Sequence, residues 1–274
     1  MKRIIAVANQ KGGVGKTTTN VNLAACLAEA GKRVLVADMD PQGNTTSGLG
    51  VDKYSVKHSI YSLLLGEAYL EQVMMSACVE GLQLLPANID LSGAEIELID
   101  HAQREFKLRN IFSHAKYLFD YILIDCPPSL NLLTLNALCA ADTVLVPIQC
   151  EYYALEGLTQ LMHTIELVQR KLNPRLAIEG VVFTMYDSRT NLSAQVVDEV
   201  KAYLGDYTYK SIIPRNVRLS EAPSFGLPIN LYAPGSKGAE AYHNLAQEVI
   251  RKNSTKNDMK NNAKTDTAIK GVRK

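Results

Sequence analysis

The glycine-rich segment at residues 9–19, NQKGGVGKTTT, constrains the fold more than any other feature of the chain. It follows a short apolar run and precedes a pattern of apolar residues at helical spacing. The glycines let the backbone curl so that its N–H groups can face phosphate oxygens, and the start of the following helix adds the positive end of its dipole. This order of strand, loop and helix predicts a phosphate-binding loop in an α/β nucleotide-binding fold.

Two lysines and a threonine give this loop its chemistry. Lys16 can neutralise the charge of the β- and γ-phosphates, and the Thr17 hydroxyl can bind Mg²⁺. The strict phosphate-loop pattern has a glycine where this chain has Gln10. Lys11 is an additional cation, which by itself could be an ordinary solvated loop lysine. The residues predicted to bind nucleotide in this loop are Lys11, Gly12, Gly13, Val14, Gly15, Lys16, Thr17 and Thr18.

Short β-branched runs alternate with helical patterns along most of the chain. Helices are predicted after the loop and at 154–172, 192–204 and 238–252, whereas the less regular region 45–115 carries helical patterns at 58–65 and 91–116 and a short strand at 82–87. The alternation predicts a P-loop NTPase-type α/β domain, with a mainly parallel twisted sheet flanked by helices on both faces. Its buried strands are predicted at 3–8, 33–38, 121–125, 143–148 and 178–185.

Three aspartates follow apolar strands. Asp38 and Asp40 come after the second predicted strand, and Asp125 ends the third. The carboxyl ends of parallel strands are where α/β sheets bind ligands. Asp125 is therefore predicted to hold Mg²⁺ through water, with Asp38 supporting the metal site and Asp40 orienting the attacking water. Alternatively, these aspartates could cap helices or form turns, and Asp40-Pro41 is a favourable turn pair.

The loop KGGVGKTT resembles the deviant Walker A motif of the ParA/MinD ATPases, and Lys11 matches the signature lysine of that motif. The segments DMDPQGN, DCPPS and IPRNVRLSEAPSFGLPI look like those of the ParA/Soj partitioning ATPases in particular. The resemblance implies an ATPase that uses ATP and Mg²⁺, with Lys11, Lys16 and Asp40 as catalytic residues. It also implies that Lys11 reaches the partner's phosphates in an ATP-bound homodimer, and that Met185 and Pro214 lie near the adenine ring.

The same resemblance implies a role in the partitioning of a chromosome or a plasmid. ATP-bound dimers would bind double-stranded DNA without sequence preference, and a ParB-like centromere-binding partner would stimulate the hydrolysis that releases the DNA. Phosphate contacts of this kind give an affinity that falls steeply with salt. The candidate DNA-binding residues are Arg189, Arg215, Arg218 and Lys237. Each of these could instead be an ordinary solvated side chain, and Arg215 could lie beside the nucleotide.

Charge divides the chain into two unequal parts. The formal net charge is +1, but residues 251–274 carry eight Lys or Arg and two Asp, so the remainder of the chain is acidic. Residues 253–274 also hold few large apolar side chains and cannot bury enough surface to offset the entropy of ordering. The sequence therefore predicts a deviant Walker A ATPase domain at 1–252 and a basic, disordered tail at 253–274. This tail could add DNA affinity or only solubility.

Two alternatives share the deviant loop. A MinD-like membrane-associated positioning ATPase needs an amphipathic C-terminal helix, and the tail has too few large apolar residues to form an apolar stripe. An electron-transfer protein of the nitrogenase iron-protein type needs cysteines that bridge a cluster. Cys126, Cys139 and Cys150 are the available residues, but none has a recognisable ligand context.

Apolar runs and cysteine usage set the expected location of the protein. The longest uninterrupted apolar run has six residues, at 23–28, whereas about 20 are needed to span a bilayer. The five cysteines include no C-x-x-C pair, which is typical of reduced thiols. The five histidines show no metal-binding spacing. We therefore expect a cytoplasmic protein without a membrane partner, and the resemblance to the partitioning ATPases implies that it is also nucleoid-associated.

Overall fold

The computed structural model describes the backbone of residues 2–152 and 154–271, with the side chains of the last helix described through Ser254. In this part of the chain, eight strands form one sheet in the order β3-β4-β2-β5-β1-β6-β7-β8. All neighbouring pairs are parallel except β3 with β4. The strands are β1 (Arg3–Val7), β2 (Val34–Asp38), β3 (Met75–Ser76), β4 (Leu82–Leu85), β5 (Tyr121–Asp125), β6 (Thr143–Gln149), β7 (Ala177–Tyr186) and β8 (Thr208–Pro214).

Helices connect these strands and cover both faces of the sheet. Short 3₁₀ segments lie at Arg104–Phe106, Gly205–Tyr207 and Ala222–Phe225. The α-helices of the described residues are α1 (Lys16–Glu29), α2 (Asn44–Gly48), α3 (Ile60–Leu65), α4 (Leu70–Val73), α5 (Leu91–Glu97), α6 (Lys107–Ala115), α7 (Leu132–Ala140), α8 (Ala154–Lys171), α9 (Asn191–Leu204), α10 (Val217–Glu221), α11 (Ile229–Tyr232) and α12 (Lys237–Gly271).

The core consists of two apolar layers separated by the sheet. Along β1, Ile4 and Ala6 pack into one layer and Ile5 and Val7 into the other, because successive side chains of a strand point to opposite faces. The first layer includes buried side chains from α5 to α9, and the second includes those of α1 and α12. A sheet buried on both faces explains why its central strands appear in the sequence as continuous apolar runs. The predicted α/β architecture is confirmed.

The structure departs from the sequence-based expectations at β8, at 91–116 and in α12, and it also contains α7 and β3, which the patterns do not predict. β8 is not among the predicted strands, since Tyr209 and Ile213 are the buried residues of this seven-residue edge strand and no apolar run marks it. The helical pattern at 91–116 forms two helices, separated where Gln103 adopts a φ of 56°. α12 continues through Gly271 without a break at residue 252, so most of the segment predicted to be a disordered tail is helical. None of the helices within the described ranges has the length and apolar character needed to cross a membrane.

Strand register brings the loop and the aspartates to one edge of the sheet. β5 pairs with both β1 and β2, so that Asp125 is the partner of Val7 on one side and of Asp38 on the other. The glycine-rich loop begins directly after β1. The carboxyl ends of three adjacent parallel strands therefore present the loop and both carboxylates at the same level, where α/β sheets bind ligands.

Candidate functional site

The glycine-rich loop is held at both of its sides by hydrogen bonds. The Asn9 amide donates to the carbonyl oxygen of Pro147 at 2.7 Å, and its Oδ1 atom accepts the backbone N–H of Lys11 at 3.0 Å. Further along, the Thr184 hydroxyl donates to the Val14 carbonyl oxygen at 2.9 Å. The loop also uses left-handed backbone at Gly13 and Gly15, with φ of 75° and 84°, which other residues adopt only with strain. The loop is thus a fixed cradle at the start of α1.

Lys16 is a buried cation in this cradle. Its side chain curls back over the loop, and Nζ donates to the Lys11 carbonyl oxygen at 2.9 Å. Burial lowers the pKa of Lys16, and the charge of Asp125 partly opposes this effect. Because burial disfavours the ammonium form, an anionic group placed beside Nζ would stabilise the site as well as bind to it. This is the environment expected for a phosphate-binding lysine.

Asp125 combines two hydrogen-bond donors with one unpartnered oxygen. Its Oδ2 atom accepts the hydroxyls of Thr17 and Thr45, each at 2.8 Å, while its Oδ1 atom is buried without a hydrogen-bond partner. Burial, together with the neighbouring charge of Asp38, raises the pKa of Asp125 above its ordinary range. A divalent cation would relieve both effects, and carboxylate and hydroxyl oxygens are suitable ligands for Mg²⁺. The donors at Thr17 and Asp125 therefore fit a magnesium ion.

Asp38 is as deeply buried as Asp125, but both of its carboxylate oxygens accept hydrogen bonds. Oδ2 accepts both the backbone N–H and the hydroxyl of Thr46, at 2.8 and 2.7 Å, and Oδ1 accepts the N–H of Asp40 at 3.2 Å. Burial raises the pKa of Asp38 above its ordinary range. These contacts order the loop that carries Asp40, and the strand register places Asp38 beside Asp125.

Asp40 lies both in a turn and near the cradle. Its Oδ1 atom accepts the N–H of Gln42 at 2.9 Å, and its carbonyl accepts the N–H of Gly43 at 2.9 Å, as expected for the Asp40-Pro41 turn. Its negative charge also acts on Lys16 and Asp125. The Asp40-Pro41 turn is therefore present, and it holds the half-buried Asp40 carboxylate near Lys16 and Asp125.

A cavity of about 430 Å³ opens beside the start of α1. The predicted adenine-side residues, Met185 and Pro214, line it together with Gly15 and Thr18 of the loop. Met185 has a φ of 51°, one of two left-handed non-glycine residues in the described part of the chain. Such backbone strain is concentrated at ligand sites. The structure thus brings residues separated by about 170 positions in sequence to one cavity next to the phosphate cradle.

Lys11 contributes its carbonyl to the cradle, whereas its side chain pairs with a residue outside the loop. Its Nζ atom makes an ion pair with Glu151, which follows β6, and its side chain is 38% exposed. Lys11 also borders an open groove of about 480 Å³ whose other walls include Leu130 and Gly157. The two lysines of the loop therefore occupy different environments, one buried and one at the surface.

Two of the predicted DNA-binding arginines make local ion pairs. The guanidinium of Arg189 donates to both oxygens of Asp187, at 2.9 and 2.7 Å, and holds the pKa of that carboxyl well below its usual range. In α10, Arg218 donates to Glu221 at 2.9 Å. Both arginines are well exposed, so these pairs contribute little to stability and are available to be exchanged for other anions.

The other two predicted DNA-binding residues lie at the edge formed by β7 and β8. Arg215 lines the 430 Å³ cavity beside the loop, so it lies next to the candidate nucleotide site. Lys237 begins α12 and lines a separate cavity of about 510 Å³. Pro214 lines both cavities, which places Arg215 and Lys237 on the same side of the molecule.

The sequence analysis did not identify the residues that hold the predicted site residues in place through hydrogen bonds and ion pairs. Their single-residue signals are weak, because an isolated threonine, asparagine or glutamate is common in loops and at strand ends. Only packing shows that they contact the predicted groups. These residues are Asn9, Thr45, Thr46, Glu151 and Thr184.

These features define the protein as a P-loop nucleoside triphosphatase. They are the strand before the loop, the phosphate cradle, the buried lysine and the adjacent aspartates. Residues 2–178 match a protein family described as an AAA domain. The chain is 59% identical over 249 residues to the sporulation initiation inhibitor protein Soj of Bacillus subtilis, covering 91% of this chain and 98% of that protein. It is 54% identical over 254 residues to the chromosome partitioning protein ParA of Myxococcus xanthus, covering 93% and 90%. The chain belongs to the ParA/Soj family.

Solved structures with the same fold include nucleotide complexes. Cobyrinic acid a,c-diamide synthase from Mycobacterium smegmatis, with bound ADP and magnesium, has a TM-score of 0.80 and 42% identity, covering 92% of this chain and 95% of that chain. The cell division ATPase MinD of Pyrococcus furiosus has a TM-score of 0.75 and 29% identity, covering 92% and 99%. The protein is therefore an ATPase that uses ATP and Mg²⁺, in agreement with the site described above.

Proposed function

We propose that this chain is a DNA-partitioning ATPase that acts on a chromosome or a plasmid. ATP binding closes a sandwich homodimer, the dimer binds double-stranded DNA of any sequence, and a ParB-like centromere-binding partner stimulates the hydrolysis that releases it. The protein is accordingly associated with the nucleoid during its cycle. Family membership supports this proposal, since one relative is named as the chromosome partitioning protein ParA of Myxococcus xanthus.

The environment of Lys11 is the observation that best supports the proposed ATP-dependent homodimer. Its ammonium group lies at the surface, paired with Glu151 and bordering a groove, although its carbonyl belongs to the phosphate cradle. A cation in this position adds little to the charge around its own cradle. It is well placed to meet negative charge brought by a second subunit, once it leaves Glu151. We therefore assign Lys11 to the partner's phosphates.

The remaining site residues receive roles from their contacts. Lys16 neutralises phosphate charge, and the backbone of Gly12 to Thr18 surrounds the phosphates. Thr17 and Asp125 hold Mg²⁺, which supplies charge neutralisation and orientation at the phosphates when bound, and Asp38 supports them. Asp40 orients the attacking water. In phosphoryl transfer the protein contributes mainly by positioning groups and by neutralising charge, and these residue types suit that task.

The proposed DNA surface consists of Arg189, Arg215, Arg218 and Lys237. Exposed arginines paired with single carboxylates can exchange those partners for the more concentrated charge of a DNA backbone. Two subunits would double the number of contacts, so that dimerisation and DNA binding are coupled. If ATP favours the DNA-binding dimer, then DNA must favour retention of ATP to the same extent.

The proposal is tested by measuring binding to duplex DNA of random sequence with ATP, with ADP and without nucleotide, over a series of salt concentrations. We expect binding only with ATP, and a steep loss of affinity as salt increases. Arg189→Ala and Arg218→Ala should each weaken binding, and the salt slope should fall by about 1 for each phosphate that the variant no longer neutralises. Arg170→Ala is the matched control, because Arg170 is an exposed arginine paired with Glu166 on α8, away from the proposed surface.

The possible outcomes separate this function from its alternatives. Binding that does not depend on nucleotide would assign DNA affinity to the basic C-terminal segment. ATP-dependent dimers that bind no DNA would contradict the proposal. In that case, sedimentation with anionic liposomes would test the MinD-like membrane-associated alternative.

A further inference from the structure

Three side chains with metal-binding atoms meet at the end of α1 that lies far from the ATP site. Cys26 and Glu29 are three residues apart on α1 and so share one face of the helix. His243 comes from α12, which packs against α1. The ligand atoms of the three residues all lie within 4.8 Å of one another. At 1.5 Å per residue, Cys26 is about 15 Å along the helix axis from Lys16.

Each ring nitrogen of His243 lies close to an oxygen atom. Nδ1 lies 2.8 Å from the carbonyl oxygen of Ala239, and Nε2 lies 2.8 Å from Oε2 of Glu29. Both neighbours are hydrogen-bond acceptors, but a neutral imidazole carries only one N–H group. If Nδ1 donates to the carbonyl, then the lone pair of Nε2 faces the Glu29 carboxylate, and a metal ion could bind both groups.

The surroundings are those of a metal-binding histidine. Metal-ligating histidines usually donate their second ring N–H to a carbonyl or carboxylate, and the Ala239 carbonyl lies at hydrogen-bond distance from Nδ1 of His243. Glu29 is oriented by Asn230, whose amide nitrogen donates to Oε2 at 3.0 Å, and Asn230 is itself only 6% exposed. Cys26 supplies a sulfur atom from the buried side of the cluster. Glu29 and His243 are therefore each oriented by a contact outside the cluster, Glu29 by Asn230 and His243 by Ala239.

We propose that Cys26, Glu29 and His243 form a zinc-binding site that links α1 to α12. Thiolate, imidazole and carboxylate together are typical ligands of Zn²⁺, whereas Mg²⁺ prefers oxygen ligands alone. Three protein ligands leave a position for water. A cavity of about 500 Å³, lined in part by Glu29 and Asn230, gives the ion a route from solvent. The site is separate from the magnesium site and binds a different class of metal.

Zinc binding would change the protonation of the cluster. Burial, together with the charge of Glu29, raises the pKa of the Cys26 thiol to about 12, so the thiol is protonated when no metal is bound. A metal ion binds the thiolate and releases this proton. Because the ion connects two helices that are more than 200 positions apart in sequence, it would also stabilise the folded state.

The test uses the tag-free full-length chain and Co²⁺ as a spectroscopic probe for Zn²⁺. We expect one equivalent of Co²⁺ to produce sulfur-to-metal charge-transfer absorption, which one equivalent of Zn²⁺ then removes. Isothermal titration should give one zinc per chain, and zinc should raise the melting temperature. Cys26→Ser and His243→Gln should lose both the absorption and the one-to-one site. Asn230→Ala should weaken zinc binding by roughly 10- to 100-fold, since it removes a supporting hydrogen bond and no ligand.

Controls distinguish this cluster from accidental binding. Cys78→Ser and His114→Gln change an exposed thiol and an exposed imidazole elsewhere, and both should bind zinc as the unmodified chain does. Since Cys26 is buried, far-ultraviolet circular dichroism checks that its variant is folded, and the more exposed His243→Gln gives an independent result. Absorption that persists in His243→Gln, that disappears in Cys78→Ser, or that never forms would overturn the proposal. The last result would leave a simple ion pair between imidazolium and carboxylate.

Discussion

Gly12 provides a sharp test of the dimer, because nothing within the chain requires glycine at this position. Its φ is not in the left-handed region, unlike that of the neighbouring Gly13. A Cβ atom added to Gly12 meets no heavy atom within 4 Å. A side chain is therefore compatible with both the backbone and the surroundings of Gly12 in a single subunit. If a partner subunit closes over the loop, however, the same side chain must enter the interface.

The expected effects of Gly12→Val on folding and on association therefore differ. The free energy of unfolding should change by no more than about 0.5 kcal/mol, as for a surface substitution that removes no interaction. Overpacking of a close interface costs about 1–3 kcal/mol, which corresponds to roughly 5- to 150-fold weaker ATP-dependent dimerisation. Gly13→Val is the matched control, since its φ of 75° should cost about 1–2 kcal/mol in the single subunit.

Two measurements separate these effects. Urea unfolding without nucleotide gives the stability of the subunit, and sedimentation velocity with ATP gives the monomer–dimer equilibrium. Nucleotide affinity of the monomer is measured in parallel. A Gly12→Val protein that dimerises with ATP as strongly as the unmodified chain would refute the placement of Gly12 at a subunit interface. A large drop in stability would refute the claim that this position is open.

Further substitutions test the ATP site and the packing. Lys16→Ala should abolish ATP binding, and full affinity measured by fluorescent-nucleotide titration would contradict the assigned role. Arg3→Met should lower the free energy of unfolding, measured in urea, by about 3–5 kcal/mol. The Arg3 guanidinium lies 3.1 Å from the fully buried Glu179 carboxylate, which would be left without this ion pair. Replacing both residues by apolar ones should recover most of that stability. The Arg33 guanidinium donates to Asp120 and lowers its pKa, so Asp120→Asn should cost about 0.2–1 kcal/mol at neutral pH. This contribution disappears as the Asp120 carboxylate becomes protonated. The free energies of unfolding of Asp120→Asn and of the unmodified chain should therefore converge as the pH falls below 3.8, the ordinary pKa of an aspartate. A difference that stays constant with pH would contradict a contribution from the Arg33–Asp120 ion pair.

Local sequence patterns were sufficient for the central part of the fold. The strand predicted at 121–125 coincides with β5, and the helix after the loop begins at Lys16, as the phosphate-loop pattern requires. β5 lies in the middle of a sheet that is covered on both faces, so its sequence is apolar up to Asp125. At the sheet edge this signal is weaker, because β8 buries only Tyr209 and Ile213 and no continuous apolar run marks it.

The break between α5 and α6 could not be predicted from the spacing of apolar residues either. Residues 91–116 keep an apolar pattern across α5 and α6, yet α5 ends at Glu97, and Gln103 adopts a left-handed φ of 56° in the connection to α6. The Asn136 amide donates to the Arg104 carbonyl, and its Oδ1 atom accepts the N–H of Leu108, so α7 holds this interruption in place. A contact with a helix that comes later in the chain decided the local conformation.

The sequence by itself determined which chemical groups this protein has and where the chain can place them. A glycine-rich loop after an apolar run, a lysine and threonine at the start of a helix, and aspartates at strand ends predict a nucleotide site, because strand and helix geometry are local properties. Only the tertiary structure decided how the groups are paired. Thr45 donates to Asp125, 80 positions away, Lys11 meets Glu151, and Cys26 lies beside His243. Such pairs depend on how sheet and helices pack, and no local pattern encodes the distance between two side chains that are far apart in sequence.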